Sequence, residues 1–162
     1  MVKSLLRFVF HVEAPAPDTH FKFTFVRNPW DRMTSLFEYL AASSRRDVNK
    51  VEFELFVADV ENILNRGQCK DIHLKPQYDW VHDDEGNLQV DFVGRFEQLH
   101  EDWEHVCNKL KLNPDHSRLD HLKASTRRHS GWRDYYTSQE LIDAVGELYE
   151  RDITTWNYTF DG

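Results

Sequence analysis

The stretch that decides the fold is FTFVRNPWDRMTSLFEYL, residues 23–40. It starts within an apolar run, Phe21–Val26, that is typical of a buried β-strand. The run stops at Arg27, and a helix start follows, because Asn28 suits an N-cap and Pro29 suits the first helical position. The sequence therefore predicts a strand that passes directly into a helix, with an arginine at the junction.

Apolar residues recur at three- and four-residue spacing in four segments, which predicts four amphipathic helices. In the first helix Asp31 is placed as the acid of a capping box, and the last helix starts at a capping-box pattern, Thr137 and Glu140. The predicted bounds are about 29–42, 52–65, 97–110 and 137–153. The apolar positions expected to face the core are Met33, Leu36, Phe37, Leu40, Phe53, Phe56, Val57, Val60, Leu64, Leu99, Trp103, Val106, Leu110, Leu141, Val145, Leu148, Tyr149 and Ile153.

Strands are expected in two further places, YDWV (78–81) and LQVDFVG (88–94), around the turn DDEGN. Residues 4–12 are apolar enough for either a short buried helix or a strand. Strands and helices thus alternate along 162 residues, a length that suits one domain. We therefore expect a single α/β layered domain over residues 1–162.

Composition and charge exclude several classes of protein. The net charge of −8 argues against general binding of nucleic acids. No apolar run reaches the ~18–20 residues of a membrane span, and Cys69 and Cys107 have neither metal-site nor disulfide-framework spacing. His100 and His105 are five residues apart and do not share a helix face, so we expect no zinc site.

The charge is unevenly distributed along the chain. Residues 21–50 hold six Lys or Arg against three acidic residues, and residues 117–136 hold five against two. Two basic segments in an acidic chain indicate either a local anion site or a chance clustering on a solvated surface.

Arg27 stands at a junction that suits an anion. Ligands of parallel α/β sheets lie at the carboxyl ends of the strands, and a helix start there presents free backbone N–H groups and a positive dipole. A guanidinium can bind two oxygens of a phosphate or sulfate. Ser35, ~10 Å up the helix axis, can share that anion if Arg27 lies along the helix, and Arg32 lies three residues from Ser35 on one face. The alternative is that Arg27 pairs with Asp31 and that Ser35 is a small packing residue.

Four segments of the chain resemble a known family. FVRNPWDRMTSLFEY is similar to the 3′-phosphate-binding segment of the sulfotransferases that use 3′-phosphoadenosine 5′-phosphosulfate (PAPS). The resemblance continues in family order through HLKPQYDWV, DFVGRFEQLHEDWEHVCNKL and RDYYTSQELIDAVGELYERDITTWNY, and covers roughly residues 20–160. It is closest to the branch that includes carbohydrate O-sulfotransferases and their bacterial relatives. It implies a three-layer P-loop-kinase-like α/β sandwich with a mainly parallel sheet, and transfer of a sulfuryl group from PAPS to a hydroxyl, with a carbohydrate as the expected acceptor.

The resemblance also assigns roles to individual residues. It implies that Arg27 and Ser35 hold the 3′-phosphate, and that the loop RRHSGW, residues 127–132, closes over the cofactor. His73 is the first candidate for the general base because it lies in a family-like segment, and His11, between the two cofactor segments, is the second. Glu97 is expected to be a helix-start acid, with contact to substrate as the alternative. The implied cofactor-binding residues are Arg27, Arg32, Ser35, Arg127 and Arg128, with Trp132 able to stack on adenine.

The chain departs from the family pattern near its beginning. The family places a lysine between glycines and Ser or Thr after its first strand, where backbone N–H groups cradle the 5′-phosphosulfate. No such glycine-rich loop is present, although Lys3 and Ser4 resemble its tail end. This departure implies an N-terminally incomplete domain, either an enzyme with weak or no transfer or a non-catalytic relative that binds adenosine 3′,5′-bisphosphate or a protein partner. A P-loop nucleotide kinase is disfavoured because GxxxxGK[ST] is missing.

The expected compartment follows from the same observations. The N-terminal segment has no small-residue cleavage site for a signal peptide, and two cysteines favour a reducing compartment. We expect a cytoplasmic location for this chain, and a Golgi location if an N-terminal anchor precedes it. We expect neither nucleic acid nor a metal ion as a partner.

Overall fold

A computed structural model of the chain describes residues 20–43, 50–66, 72–113 and 131–161. Two β-strands and six α-helices lie within these ranges. Their bounds are β1 Phe23–Val26, α1 Pro29–Ser43, α2 Lys50–Asn65, α3 Tyr78–Val81, β2 Phe92–Arg95, α4 Leu99–Leu110, α5 Gln139–Leu148 and α6 Glu150–Trp156. Short 3₁₀ helices lie at Phe96–Gln98 and Trp132–Tyr135.

The two strands form a parallel pair whose register runs from Phe23 opposite Phe92 to Val26 opposite Arg95. Both strands therefore end at the same edge of the sheet. Gly94 lies opposite Phe25, and a Cβ at this glycine would stand 2.6 Å from the Phe25 ring. Glycine thus allows the ring to pack directly on the β2 backbone. The α/β class predicted from the alternation of elements is confirmed, with a small parallel sheet among the described residues.

The core lies where α1, α2, α5 and the 3₁₀ helix 132–135 meet. Aromatic rings dominate its contacts, and the Phe53 ring lies 5.3 Å from that of Phe37 and 5.2 Å from that of Tyr136, both edge to face. The predicted core-facing stripes are confirmed for most of their length. The buried side chains among the predicted positions include Met33, Phe37, Phe53, Val57, Val60, Val106, Leu141, Val145 and Tyr149.

Two predicted core positions are wrong. Leu40 is 40% exposed because Ala41, four residues after Phe37, continues the buried face of α1. Leu110 is 39% exposed and is the last residue of α4. Both errors fall at the ends of helices, where periodicity alone does not locate the limit of the core.

The prediction of a strand at YDWV is wrong, because Tyr78–Val81 form α3. A tertiary contact explains the helical turn: the carboxylate of Asp152, on α6, accepts the N–H groups of Gln77 and Tyr78 at 2.9 and 2.8 Å. Only an isolated bridge, His82 to Leu88, remains of the expected hairpin within the described ranges. The strand predicted at 88–94 begins at Phe92.

The last predicted helix is divided in two and capped one residue later than expected. Ser138 is the N-cap, and its Oγ accepts the Leu141 N–H at 3.3 Å, whereas the Thr137 hydroxyl donates to Glu54. Tyr149 separates α5 from α6 because its backbone leaves the helical region while its buried hydroxyl donates to the Leu74 carbonyl at 2.9 Å. The break fixes α6 against the segment that leads into α3.

Candidate functional site

The strand ends bring an arginine and an aromatic ring together. Arg27 follows β1, and Phe96 follows β2, so parallel pairing places the two residues side by side. The guanidinium carbon of Arg27 lies 4.5 Å from the centroid of the Phe96 ring, whose residue is 46% exposed. The carboxyl edge of the sheet, where α/β folds place ligands, thus carries a guanidinium stacked on an aromatic face.

Asp31 sets the direction of the Arg27 side chain. Arg27 Nε donates to Asp31 Oδ2 at 2.6 Å, and the two side chains are 20% and 11% exposed. The pairing of Arg27 with Asp31, one of the alternatives at the sequence level, is therefore present, and it joins the guanidinium to the first turn of α1. The terminal nitrogens of Arg27 make no hydrogen bond to any residue that the structure describes.

Ser35 lies one helical turn beyond Asp31. Arg27, Asp31 and Ser35 follow one another at four-residue intervals, so the latter two share a face of α1 to which Arg27 is bound. Ser35 is partly exposed, and its hydroxyl has no hydrogen-bond partner within the described ranges. Among the residues that the structure describes, nothing occupies the terminal nitrogens of Arg27 or the hydroxyl of Ser35, so both are donors for a ligand on this face.

The expectation of free backbone N–H groups at the start of α1 is wrong. The Asn28 N–H donates to Glu97 Oε1 at 2.6 Å, and Pro29 has no N–H. Asn28 Oδ1 accepts the Trp30 N–H at 3.0 Å and the Asp31 N–H at 3.5 Å, which confirms Asn28 as the N-cap. An anion at this junction would therefore be bound by side chains rather than by the helix N-terminus.

Gln77 binds the backbone of Arg27 on both sides. Its Oε1 accepts the Arg27 N–H at 2.9 Å, and its Nε2 donates to the Arg27 carbonyl at 2.8 Å. Behind it, Asp152 Oδ2 accepts from the backbone N–H and the Nε2 of Gln77 at 2.9 and 3.2 Å. Sequence reasoning missed Gln77 and Asp152. The only signal was that both lie in family-like segments, HLKPQYDWV and the last one.

Glu97 joins the helix start to the end of the chain. Besides the Asn28 N–H, its carboxylate accepts the Tyr158 hydroxyl at 3.1 Å, and Asn28 Nδ2 donates to the Thr159 carbonyl at 2.9 Å. Burial raises the pKa of the Tyr158 hydroxyl, and the nearby Glu97 carboxylate raises it further, so the hydroxyl remains a donor at neutral pH. Glu97 therefore holds the start of α1, whereas its helix-start interpretation placed it as the first acid of its own predicted helix, 97–110.

These contacts bring the four family-like segments to one place. The segment 73–81 reaches Arg27 through Gln77, and the segment 91–110 reaches Asn28 through Glu97. The C-terminal segment supplies Asp152 and Tyr158, which bind Gln77 and Glu97, and the Thr159 carbonyl just after it accepts from Asn28. The contacts therefore converge, directly or through one residue, on Arg27 and Asn28 at the strand–helix junction.

Two other predicted cofactor residues contact the protein elsewhere. Arg32 donates from Nη2 to the Lys75 carbonyl at 3.0 Å, and its guanidinium carbon lies 4.7 Å from the centroid of the Tyr149 ring. Trp132 packs edge to face with the Phe160 ring at 5.2 Å. One face of the Trp132 ring is covered by the Arg133 guanidinium at 4.2 Å.

Of the predicted bases, His73 is described, and it lies partly buried in the turn that leads to Gln77. His11, Arg127 and Arg128 lie outside the described residues, as do Lys3 and Ser4. Within the ranges described, no group of three His, Cys, Asp or Glu side chains could hold a metal ion. Those ranges also contain no helix long and apolar enough to cross a membrane.

Comparison with known proteins gives one finding. The sequence model described as "Sulfotransferase family" matches residues 3–159, nearly the whole chain. No curated protein and no solved structure matches the chain significantly.

Proposed function

The chain belongs to the sulfotransferase family, and on this premise we propose that it transfers a sulfuryl group from PAPS to a hydroxyl of a carbohydrate. In this proposal Arg27 and Ser35 hold the 3′-phosphate of the nucleotide. One observation carries it: Asp31 and Phe96 orient the Arg27 guanidinium, while its terminal nitrogens remain available. The proposal includes the P-loop-kinase-like sandwich that the resemblance implies.

The geometry of α1 supports a shared phosphate. The bond to Asp31 ties the guanidinium to a residue that lies about one turn, or ~5.4 Å, before Ser35 on α1. A separation of this order is one that a tetrahedral phosphate can bridge with hydrogen bonds of about 2.7–2.9 Å on each side. Because the guanidinium is already ordered by its two neighbours, less conformational entropy is lost when the anion binds.

The chemistry requires positioning more than a covalent step by the protein. PAPS supplies the activated sulfuryl group when bound, and sulfuryl transfer, like phosphoryl transfer, depends on orientation and on stabilisation of the leaving group. A base must take the proton from the acceptor hydroxyl, and we assign this role to His73, with His11 as the second candidate. The remaining proposed contacts are Arg32, Arg127 and Arg128 with phosphate groups and Trp132 with adenine.

A second function is favoured by one observation. The chain has no glycine before Gly67, and it therefore lacks the glycine-flanked lysine that neutralises the leaving oxygen in the family pattern. Loss of a single preorganised donor costs about 10²–10³ in rate in acyl-transfer sites. A domain that binds adenosine 3′,5′-bisphosphate without transferring sulfate is the alternative.

Calorimetric titration with adenosine 3′,5′-bisphosphate tests the site. Arg27→Ala removes charge-assisted hydrogen bonds worth about 1.5–3 kcal/mol each, so we expect affinity to fall by about a hundredfold. Ser35→Ala removes one neutral bond and should weaken binding about fivefold. Arg66→Ala is the matched control. This substitution removes the same positive charge from an exposed residue at the end of α2.

Two results separate the candidates. Transfer of labelled sulfate from PAPS to a glycan supports the enzyme, and its loss in a folded His73→Ala variant supports the assigned base. Binding without transfer supports the non-catalytic module. Absence of binding at millimolar adenosine 3′,5′-bisphosphate contradicts both.

A further inference from the structure

We infer that Gln77 and Asp152 are positioning residues that set the backbone of Arg27 and thereby aim its side chain at the anion. This inference rests on the proposed function, because it concerns the same phosphate site. It assigns a role to two residues that would not touch the ligand.

The orientation of the Gln77 amide is determined by its partners. The Arg27 N–H can only donate and the Arg27 carbonyl can only accept, so Oε1 must face the former and Nε2 the latter. The two bonds resemble one rung of a β-ladder, made by a side chain just after β1 ends. Gln77 therefore extends the restraint of the sheet by one residue, to the residue whose side chain carries the guanidinium.

The Asp152 carboxylate is fully buried and has no ion-pair partner among the described residues. Within the described ranges it accepts three hydrogen bonds, all from two adjacent residues: the N–H and Nε2 of Gln77 and the N–H of Tyr78. A buried charge costs several kcal/mol of desolvation, and an apolar residue of similar size is often as stable. The presence of a carboxylate at this buried position is explained by its contacts, because they fix both the backbone and the side-chain amide of Gln77.

Other contacts hold the same segment without reaching Arg27. The buried Tyr149 hydroxyl donates to the Leu74 carbonyl at 2.9 Å, and the exposed Arg151 pairs with Asp79 at 2.8 Å. The segment therefore remains attached to α6 by contacts that do not involve Gln77. Tyr149→Phe removes one buried hydrogen bond from this attachment, keeps the ring under Arg32, and is the matched structural control.

Amide hydrogen exchange in the ligand-free protein gives a first test. Gln77→Ala and Asp152→Asn should speed exchange of the Arg27 amide, because its hydrogen bond is lost or loosened, whereas Tyr149→Phe should lower the melting temperature and leave this amide protected. Gln77→Asn shortens the side chain by one methylene and is the second variant if Asp152→Asn does not fold. Unchanged Arg27 protection in a folded Gln77 variant overturns the inference.

Titration with adenosine 3′,5′-bisphosphate gives the second test. We expect about tenfold weaker binding in Gln77→Ala, since a misplacement of about 1 Å can cost up to about a hundredfold, and wild-type binding in Tyr149→Phe. If Asp152 acts through Gln77, adding Asp152→Asn to Gln77→Ala should weaken binding no further. If the wild-type protein and Gln77→Ala bind the nucleotide equally well, this inference alone is overturned. Wild-type protein that does not bind at all overturns the proposed function and this inference with it.

Discussion

Asp31 lies between the two groups proposed to bind phosphate, and substitution of this residue separates its two effects. Its carboxylate orients Arg27 through Nε, at 2.6 Å, and its negative charge opposes an incoming anion. Asp31→Asn keeps an oxygen that can accept the Nε–H and removes the charge. Asp31→Ala removes both. We expect Asp31→Asn to bind phosphate more tightly than wild type, and Asp31→Ala to bind it more weakly than Asp31→Asn does.

The relative sizes of the charge effect and the orienting effect determine whether each substitution strengthens or weakens binding. Two like charges roughly 6 Å apart at an effective dielectric constant of about 20 repel by about 3 kcal/mol, and partial exposure with screening at 0.15 M salt reduces this to about 1 kcal/mol. Asp31→Asn should therefore bind adenosine 3′,5′-bisphosphate about fivefold more tightly than wild type, and the gain should shrink as salt is added. Asp31→Ala removes the same repulsion but leaves the arginine to be ordered by the ligand, which costs about 1–2 kcal/mol. The net loss is up to about 1 kcal/mol, so Asp31→Ala should bind up to about fivefold more weakly than wild type and about five- to thirtyfold more weakly than Asp31→Asn.

Titration calorimetry at two salt concentrations measures these changes, and thermal unfolding supplies the control. Replacing a charge-assisted bond by a neutral one should cost about 1 kcal/mol of stability, a decrease of about 2–4 °C in the melting temperature. If Asp31→Asn weakens binding as much as Asp31→Ala does, a neutral acceptor does not orient Arg27, and the reasoning from the Nε contact is refuted.

Two further predictions concern the scaffold around the site. Gly94→Ala would place a Cβ 2.6 Å from the Phe25 ring and should destabilise the fold by about 1–3 kcal/mol in chemical denaturation. Gly131→Ala should be neutral, because no atom lies within 4 Å of the added Cβ. Equal effects of the two substitutions would contradict the close packing of β2 on the Phe25 ring. Burial raises the pKa of the Tyr136 and Tyr158 hydroxyls above the ordinary value of 10.0, so the unfolded chain ionises first and stability should fall as pH rises above about 10. A melting temperature that stays level to pH 11 would contradict this, and replacing both tyrosines with phenylalanine should flatten the decline.

Local chemistry was sufficient to predict the strand–helix junction. An apolar run, an asparagine cap and a proline at the first helical position act within a few residues, and Phe23–Val26 and Pro29–Ser43 form as predicted. The capping-box acid was misassigned because Asp31 pairs with Arg27, while the Asn28 N–H goes to Glu97, which lies 69 residues away in the sequence. The helix N-terminus therefore contributes no free donors, although its pattern suggested that it would.

The errors in the middle of the chain have the same physical origin. YDWV has residue types that favour a strand, but Asp152 caps its first turn from 74 residues away. Gln77 drew no attention because a glutamine in an irregular segment carries no local pattern, and its partner is the Arg27 backbone, 50 residues earlier. Hydrogen bonds between residues far apart in the sequence override local secondary-structure propensity, and they leave no periodic pattern in the sequence.

The convergence on Arg27 and Asn28 joins three distant parts of the chain at one junction. Each of the three contributes a hydrogen bond that has no local substitute: an amide from Gln77, a carboxylate from Glu97, and a carbonyl from Thr159. Replacing any one of them would leave a donor or acceptor at the junction unpaired, at a cost of about 1–3 kcal/mol. The same set of bonds determines where the Arg27 side chain begins, and Asp31 with Phe96 determines where it ends. Substitutions at a junction with these contacts would lower the stability of the fold, and the junction is rigid enough to bind a phosphate with little reorganisation. The stability of this edge and its proposed function therefore depend on the same contacts.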